Sequence, residues 1–442
     1  MKEKGILLPI FSLPSKYGIG DFGYEAEEFI DILKENNIKY WEILPITACD
    51  SFPYSPVSYY AIEENYISLD KLYQYGLIDK PKYRQNTHRA IYDDGFKEAY
   101  YKEAFNRFTP NDEYYEFIKN EEIRHYAEYR SIESFKPQEF FFFIQYILYK
   151  QWMEVKTYAN KNGVEIIGDL PAYPPFRSVE TKYHSKYYEY VDGQYTFESG
   201  APPDYYSDNG QKWGSPVYNI PRIKEDGYKY FLDRYSYMLT LFDKIRVDYF
   251  RGYDSFYRIP IGKSGRMGEY VPGLGYEFFD TLFSKTKVKP EDLIIEDLGD
   301  IRQQTRDLRD HYHFTRQRIL QFDIDFDTLE DIDDESENVV IYPGNHDCST
   351  IYGWYKSMSE EKQWKLKEFL RKHGCNDGNV NWGIMQYCLK CKSKIAIVQV
   401  QDLFGLDDDS RTNVPGTVTD SNWSWKLVDF VNLRERIKDF NI

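Results

Sequence analysis

IRVDYFRG, residues 245–252, places Arg246 and Asp248 two apart in a run that the apolar Ile245 and Val247 mark as a strand. Side chains alternate across a strand, so both charges fall on one face. A buried carboxylate is costly unless paired, and the guanidinium two residues away is a ready partner. Taken alone, the stretch reads as a structural Arg–Asp pair at a strand end. It does not stand alone.

Five other apolar strand-like runs recur and lead into functional-looking residues: YWEILPI (40–46), VEIIGDLPAY (164–173), DLIIEDLGD (292–300), NVVIYPGNHD (338–347) and KIAIVQVQDL (394–403). Helix-like segments lie between several of them. FFFFIQYILYKQWMEVKTYANKNG (140–163) carries an apolar stripe and closes on Gly163, and EEKQWKLKEFLRKHG (360–374) closes on Gly374. Glycine is the favoured residue just past a helix end. Strand, helix, strand in this order predicts an α/β fold with a parallel sheet. Active sites of such folds collect at the carboxyl ends of the strands. That rule selects Asp169, Asp248, Glu296 with Asp297, and Asp347. Any one of them could cap a following helix. Glutamate is a poor N-cap, so Glu296 calls for another reason.

Two tracts interrupt the pattern. Residues 71–139, charged and Tyr-rich, are expected to form an inserted helical subdomain. Residues 174–235 contain APPDYYSDNGQKWGSPVY (201–218) and are expected to supply active-site loops. With these insertions the chain, 1–442, reads as a single catalytic domain. The acidic run DIDFDTLEDIDDESE (323–337) lacks the glycine and spacing of an EF-hand and reads as a solvated connector.

A net charge of −16 argues against nucleic acid or an anionic membrane as partner. The 43 tyrosines, in a chain that is 18% aromatic, suit stacking on sugar faces but also fill cores. Five cysteines, with one lone C-x-x-C at Cys388 and Cys391, fit a reducing cytoplasm better than a disulfide framework or a zinc site. The seven histidines show no H-E-x-x-H or similar spacing, so no metal and no cofactor are expected. Pro9 and Pro14 break the short apolar run near the start, which does not read as a signal peptide, and no stretch approaches membrane-span length.

Several carboxylates in an aromatic-rich cleft suggest glycoside chemistry, which needs one ionised carboxylate and one protonated carboxyl. Arg246 gives Asp248 a compensating positive charge, which suits a nucleophile. Glu296 follows Leu293, Ile294 and Ile295, so desolvation and neighbouring carboxylates should raise its pKa, which suits an acid/base. His346, beside Asp347, could hydrogen-bond sugar hydroxyls or be a satisfied strand-end residue.

RVDYFRG, IIEDLG and GNHD resemble the conserved regions of the α-amylase superfamily. The chain as a whole is similar to the 4-α-glucanotransferases (amylomaltases or disproportionating enzymes, glycoside hydrolase family 77). The likeness starts at GILLPIFSLPSKYGIGDFG (5–23) and runs through WEILPI, FPYSP (52–56), QYILYKQW (145–152), GDLPAY and APPDYYSDNGQKWGSP (201–216). It closes with QDLFGL (401–406), RTNVPGT (411–417) and NWSW (422–425). The resemblance implies a (β/α)8 TIM barrel with inserted helical and loop subdomains and a retaining mechanism. It implies Asp248 as nucleophile, Glu296 as acid/base and Asp347 as transition-state stabiliser. Arg246 and His346 would support the central sugar, and Tyr54, Asp204, Tyr205, Gln211, Trp213 and Asn413 would line the glucan path. Donor and acceptor would be α-1,4-glucans or maltooligosaccharides, with glucose as product or acceptor.

The chain departs from the family pattern at Tyr249, usually His, at Ser215, usually Asn, and near Arg177, often a small residue or Asp. These positions bear on subsite affinity, acceptor preference and the balance of transfer against hydrolysis. The rival readings are an α-amylase-like hydrolase on the same triad, a non-catalytic glucan-binding protein, and a metal-dependent phosphotransferase. The last lacks a Gly-rich phosphate loop.

Overall fold

The computed structural model describes residues 2–50, 52–84, 86–92, 95–203, 208–299, 301–332 and 338–440. Eight strands close into a barrel: β1 (Glu3–Leu7), β2 (Tyr40–Glu42), β3 (Glu165–Leu170), β4 (Lys244–Val247), β5 (Leu293–Ile295), β6 (Thr315–Ile319), β7 (Val339–Tyr342) and β8 (Ile395–Gln399). Each strand pairs in parallel with its neighbours in sequence, and β8 closes on β1. Parallel neighbours need a return crossover. The helices Tyr24–Glu35, Gln138–Lys161, Lys229–Leu241, Gly275–Lys285, Gln303–His311 and Val380–Lys390 lie in six of the seven connections, and between β6 and β7 the described residues hold the short helix Leu320–Asp323. The expected (β/α)8 barrel is the fold found.

The strands read as continuous apolar runs because both faces are covered. Leu7, Tyr40, Ile167, Ile294, Ile319, Val340, Tyr342, Ile395 and Ile397 fill the lumen as one buried cluster. The opposite faces join a larger cluster beneath the helices, with Phe29, Trp41, Trp152, Ile166, Phe242 and Ile245 among its members. Gly168 serves this outer layer. A Cβ there would lie 2.2 Å from the Phe242 ring, so glycine lets the ring sit flat against β3 next to Asp169.

Two barrel strands lie outside the six runs read from the sequence. β1 is the short N-terminal run ahead of Pro9. β6, TRQRI, alternates: Thr315, Gln317 and Ile319 are buried, while Arg316 and Arg318 sit at half-buried positions on the other face.

The 71–139 tract contains the helices Glu98–Arg107, Asp112–Phe117 and Glu121–Ser134. The 174–235 tract is more regular than loops. Its strands Phe197–Ala201 and Gln211–Pro216 join Ser255–Pro260 and Glu269–Pro272 in a four-stranded antiparallel sheet. Those segments follow β3 and β4, which places the sheet on the carboxyl-end side of the barrel. Among the described residues, no helix is long and apolar enough to cross a membrane.

Candidate active site

Arg246 lies on β4 with its side chain in the barrel, 4% exposed, and organises the centre of the site. Its Nη1 donates to both oxygens of Asp169, at 3.0 and 2.8 Å, and to Asp248 Oδ1 at 3.0 Å. The register makes this possible, because Asp169 on β3 is the direct cross-strand partner of Arg246. The pair expected from the sequence exists, yet the fully buried carboxylate against Arg246 is Asp169. Burial pushes the Asp169 carboxyl up to about 6, with Arg246 pulling against it and Asp248 adding to it.

A polar chain continues below the arginine. Arg246 Nε donates to Gln317 Oε1 at 3.2 Å, Gln317 Nε2 to the Tyr342 hydroxyl at 3.1 Å, and that hydroxyl to Glu42 Oε2 at 2.7 Å. Burial raises the Glu42 carboxyl to about 7, opposed by the Tyr342 hydrogen bond. Four strands thus hold one guanidinium through side chains on the lumen face.

Asp248 and Glu296 are the residues that follow β4 and β5. Ladder-like backbone bonds, Asp248 N–H to Leu170 O and Glu296 N–H to Val247 O, carry the strands' register out to both. Tyr249 has φ +51, a left-handed conformation that side-chain-bearing residues seldom adopt. The turn aims its N–H at Glu296 Oε2, 2.8 Å away. Gly252 accommodates it, since a Cβ there would stand 2.9 Å from the Tyr249 ring. Burial raises the Glu296 carboxyl to about 7, against Arg246 and with help from Asp248. That is the direction expected from the sequence. Asp297 turns away: Arg309 Nη1 donates to its Oδ2 at 2.8 Å.

Asp347 sits in the loop after β7. Its own N–H donates to Asn345 Oδ1 at 3.0 Å, Asn413 Nδ2 donates to its Oδ1 at 2.6 Å, and the buried His346 Nε2 stands 3.4 Å from its Oδ2. Burial alone would raise this carboxyl. The His346 charge and the bonds from His346 and Asn413 overcome that and hold it well below the usual range.

Aromatic rings wall one side. Tyr54 stacks on His346 at 5.2 Å and its hydroxyl donates to Asp169 Oδ2 at 2.7 Å. Trp423 packs against Tyr54, His346 and Phe52 at 5.7, 6.0 and 6.2 Å. In a second aromatic group Trp213 meets the Tyr249 ring edge-on at 5.0 Å and donates its Nε1 to Gln211 Oε1 at 3.2 Å. Asp204 and Tyr205 lie outside the described residues. Ser215 is buried behind Trp213, and Arg177 is exposed.

Asp169 is one of the strand-end carboxylates that the sequence singles out, though with no particular role, whereas Glu42, Gln317, Tyr342 and Trp423 are additions of the structure. Asp169 and Glu42 carried a signal, a carboxylate inside an apolar strand. Gln317, on a strand with no such pattern, carried none.

Carboxylates, one buried arginine and aromatic faces gathered at the carboxyl ends of a (β/α)8 barrel are the equipment of a barrel enzyme acting on carbohydrate. A family model described as 4-alpha-glucanotransferase matches residues 8–139 and 131–430. A 4-alpha-glucanotransferase from Aquifex aeolicus is 32% identical over 99% of this chain and 98% of its own length. One from Synechocystis is 32% identical over 96% of this chain and 93% of its own. The amylomaltase of Streptococcus agalactiae, solved in complex with acarbose, superimposes with a TM-score of 0.93 at 27% identity, covering 100% of this chain and 98% of that one. The chain belongs to the 4-alpha-glucanotransferase family and is a glucan-processing enzyme of that family.

Proposed function

We propose that this enzyme moves α-1,4-glucan segments between maltodextrins by double displacement, with Asp248 as nucleophile, Glu296 as acid/base and Asp347 as stabiliser of the charged transition state. The observation that carries the assignment is the contrast among the carboxylates. Glu296 is raised to about 7, Asp347 is held low by His346 and Asn413, and Asp248 is hydrogen-bonded to Arg246. One carboxyl near neutrality, with Asp347 held ionised and Asp248 set against Arg246, is the division of labour that glycoside cleavage needs.

Asp248 attacks the anomeric carbon while Glu296 gives its proton to the departing glycosidic oxygen, releasing the shortened chain. Glu296, now a carboxylate, takes the proton of an acceptor 4-hydroxyl, whose oxygen displaces Asp248. Two inversions leave the α configuration unchanged. Transfer must outrun water, and effective molarities of about 10⁵–10⁸ M for well-placed reactants make that attainable. Trp213, Gln211 and Tyr249 in one group, with Tyr54, His346, Asn413 and Trp423 in another, are assigned to holding donor and acceptor sugars. Asp204 and Tyr205 belong to the same reading through the family pattern. A maltooligosaccharide substrate accords with the acarbose held by the relative from Streptococcus agalactiae. Five free thiols, four of them buried, support a reducing, cytoplasmic setting.

Incubation with maltotriose and chromatography of the products tests the reading. A ladder of longer oligomers with free glucose is expected, and Asp248→Asn should abolish it. Steady release of reducing ends without longer products would assign the triad to hydrolysis instead. No turnover by the unmutated chain would leave it as a glucan binder, and turnover undiminished in Asp248→Asn would take the nucleophile's role away from Asp248.

A further inference from the structure

Glu122, His125 and His184 converge away from the carboxylate cluster, and neither the family likeness nor the glucan chemistry assigns them a task. Glu122 and His125 lie three apart on the Glu121–Ser134 helix, so they share a face. His184 comes from the residue that ends the Val179–Tyr183 helix, 62 residues beyond Glu122. One ligand atom from each of the three falls within 4.8 Å of the other two.

We infer that these three side chains form a binding site for a borderline divalent transition metal of the zinc class, one that staples the inserted helices to the segment following β3. The ligand atoms are Glu122 Oε2, His125 Nδ1 and His184 Nε2. Oε2 lies 2.9 Å from His184 Nε2 and 3.6 Å from His125 Nδ1. Bonds of about 2.0–2.1 Å in a tetrahedral site place ligand atoms roughly 3.3–3.4 Å apart, so shifts of a few tenths of an ångström suffice for these two pairs.

His125 Nδ1 points to a ligand in its own right. It is buried and has no hydrogen-bond partner, and 3.6 Å to Glu122 is too long for one. The imidazoles are oriented by their surroundings: His125 stacks on Tyr183 at 4.2 Å, and His184 meets it edge-on at 5.5 Å. Held rings are what a metal site needs from its neighbours. Two imidazoles and one carboxylate suit zinc, cobalt or nickel, whereas calcium and magnesium prefer oxygen alone. Side-chain exposures of 15–20% leave the fourth position to water. The inference does not depend on the glucan reaction.

The test is a Zn²⁺ titration of the chelator-stripped full chain against a chromophoric chelator, with thermal unfolding followed with and without the metal. One equivalent should bind at micromolar metal and raise the melting temperature, because a ligand held only by the folded state stabilises it. The His125→Gln/His184→Gln double variant should lose at least about tenfold in affinity and show no metal-dependent rise. Co²⁺ substitution of the unmutated chain gives an independent reading, which survives if the variant folds poorly. A nitrogen–oxygen site gives visible d–d bands without the near-ultraviolet thiolate charge-transfer band that cysteine ligands produce. Equal affinity in the double variant, a thiolate band, or no uptake at micromolar metal would overturn the proposal.

Discussion

The backbone N–H of Tyr249 donates to Glu296 Oε2 at 2.8 Å, and Tyr249 adopts φ +51 to do so. The residue following the proposed nucleophile therefore orients the proposed acid/base through its main chain, while its ring supports Trp213 edge-on at 5.0 Å. The Tyr249 side chain is thus separable from the backbone that does the orienting.

Asn tolerates the left-handed region, so Tyr249→Asn keeps the main-chain bond and removes only the ring. Edge-to-face aromatic pairs contribute about 0.5–1.5 kcal/mol beyond burial, enough to loosen Trp213 severalfold. Water should then compete better with the acceptor, and the ratio of hydrolysis to transfer on maltotriose should rise severalfold at little cost in total turnover. An unchanged ratio would remove Tyr249 from acceptor control.

Asp169 shares the Arg246 guanidinium with Asp248, and is the more buried of the two. Asp169→Asn leaves Asp248 as the remaining carboxylate partner at 3.0 Å, so the guanidinium should swing toward it. Removing one member of a buried pair costs up to about 3–5 kcal/mol, less whatever Asp248 retains. A misplaced nucleophile costs on the order of 10²-fold in rate. Both a lower melting temperature and a lower kcat are expected. A fall in melting temperature with kcat intact would make Asp169 purely structural.

The barrel was legible where both faces of a strand are apolar, as in IIE after Leu293 or VVIY before Pro343. It was hidden at β6, where Arg316 and Arg318 on the outer face break the run and the inner face needs Gln317 for the arginine. The carboxylates Asp248, Glu296 and Asp347 were legible because each follows such a run. Asp169 was legible by the same rule and Glu42 only as a carboxylate inside an apolar run, but their partner could not be read, since only barrel closure brings β2, β3, β4, β6 and β7 to one guanidinium. Conversely Asp297, adjacent to Glu296, looked equivalent to it and is taken up by Arg309. The Glu122–His125–His184 grouping escaped because its third member arrives from a distant segment.

Glu42 has a carboxyl raised from 4.5 to about 7 by burial, so the folded state holds a proton there that the unfolded chain releases near pH 4.5. Between those values the folded state binds more protons. Its stability therefore declines as pH rises through the window, about 1.4 kcal/mol per unit. Glu42→Gln retains an acceptor for the Tyr342 hydroxyl and has nothing to titrate. The variant should match the parent near pH 5 and exceed it by roughly 2–3 kcal/mol near pH 8 in urea unfolding. Equal stability at both values would mean Glu42 is ionised without penalty.

Glu296 should set the alkaline limb of activity. Burial raises its carboxyl to about 7, with Asp248 adding to the shift and Arg246 and the Tyr249 N–H opposing it. Cleavage needs the protonated form, which is present below that value and lost as pH rises through it. The free-enzyme parameter kcat/KM should therefore fall about tenfold per pH unit above a limb near 7. Glu296→Gln, which cannot release a proton to the leaving oxygen or recover one from an acceptor, should lose turnover at every pH. A fluorinated glycosyl donor separates the two halves of the role, because fluoride departs with little need of an acid. Such a donor should form the Asp248-linked intermediate in the Gln variant with no alkaline limb, and the intermediate should then persist for want of a base. A profile flat to about pH 9 with maltotriose, or rapid clearance of that intermediate in the Gln variant, would take the proton transfer away from Glu296.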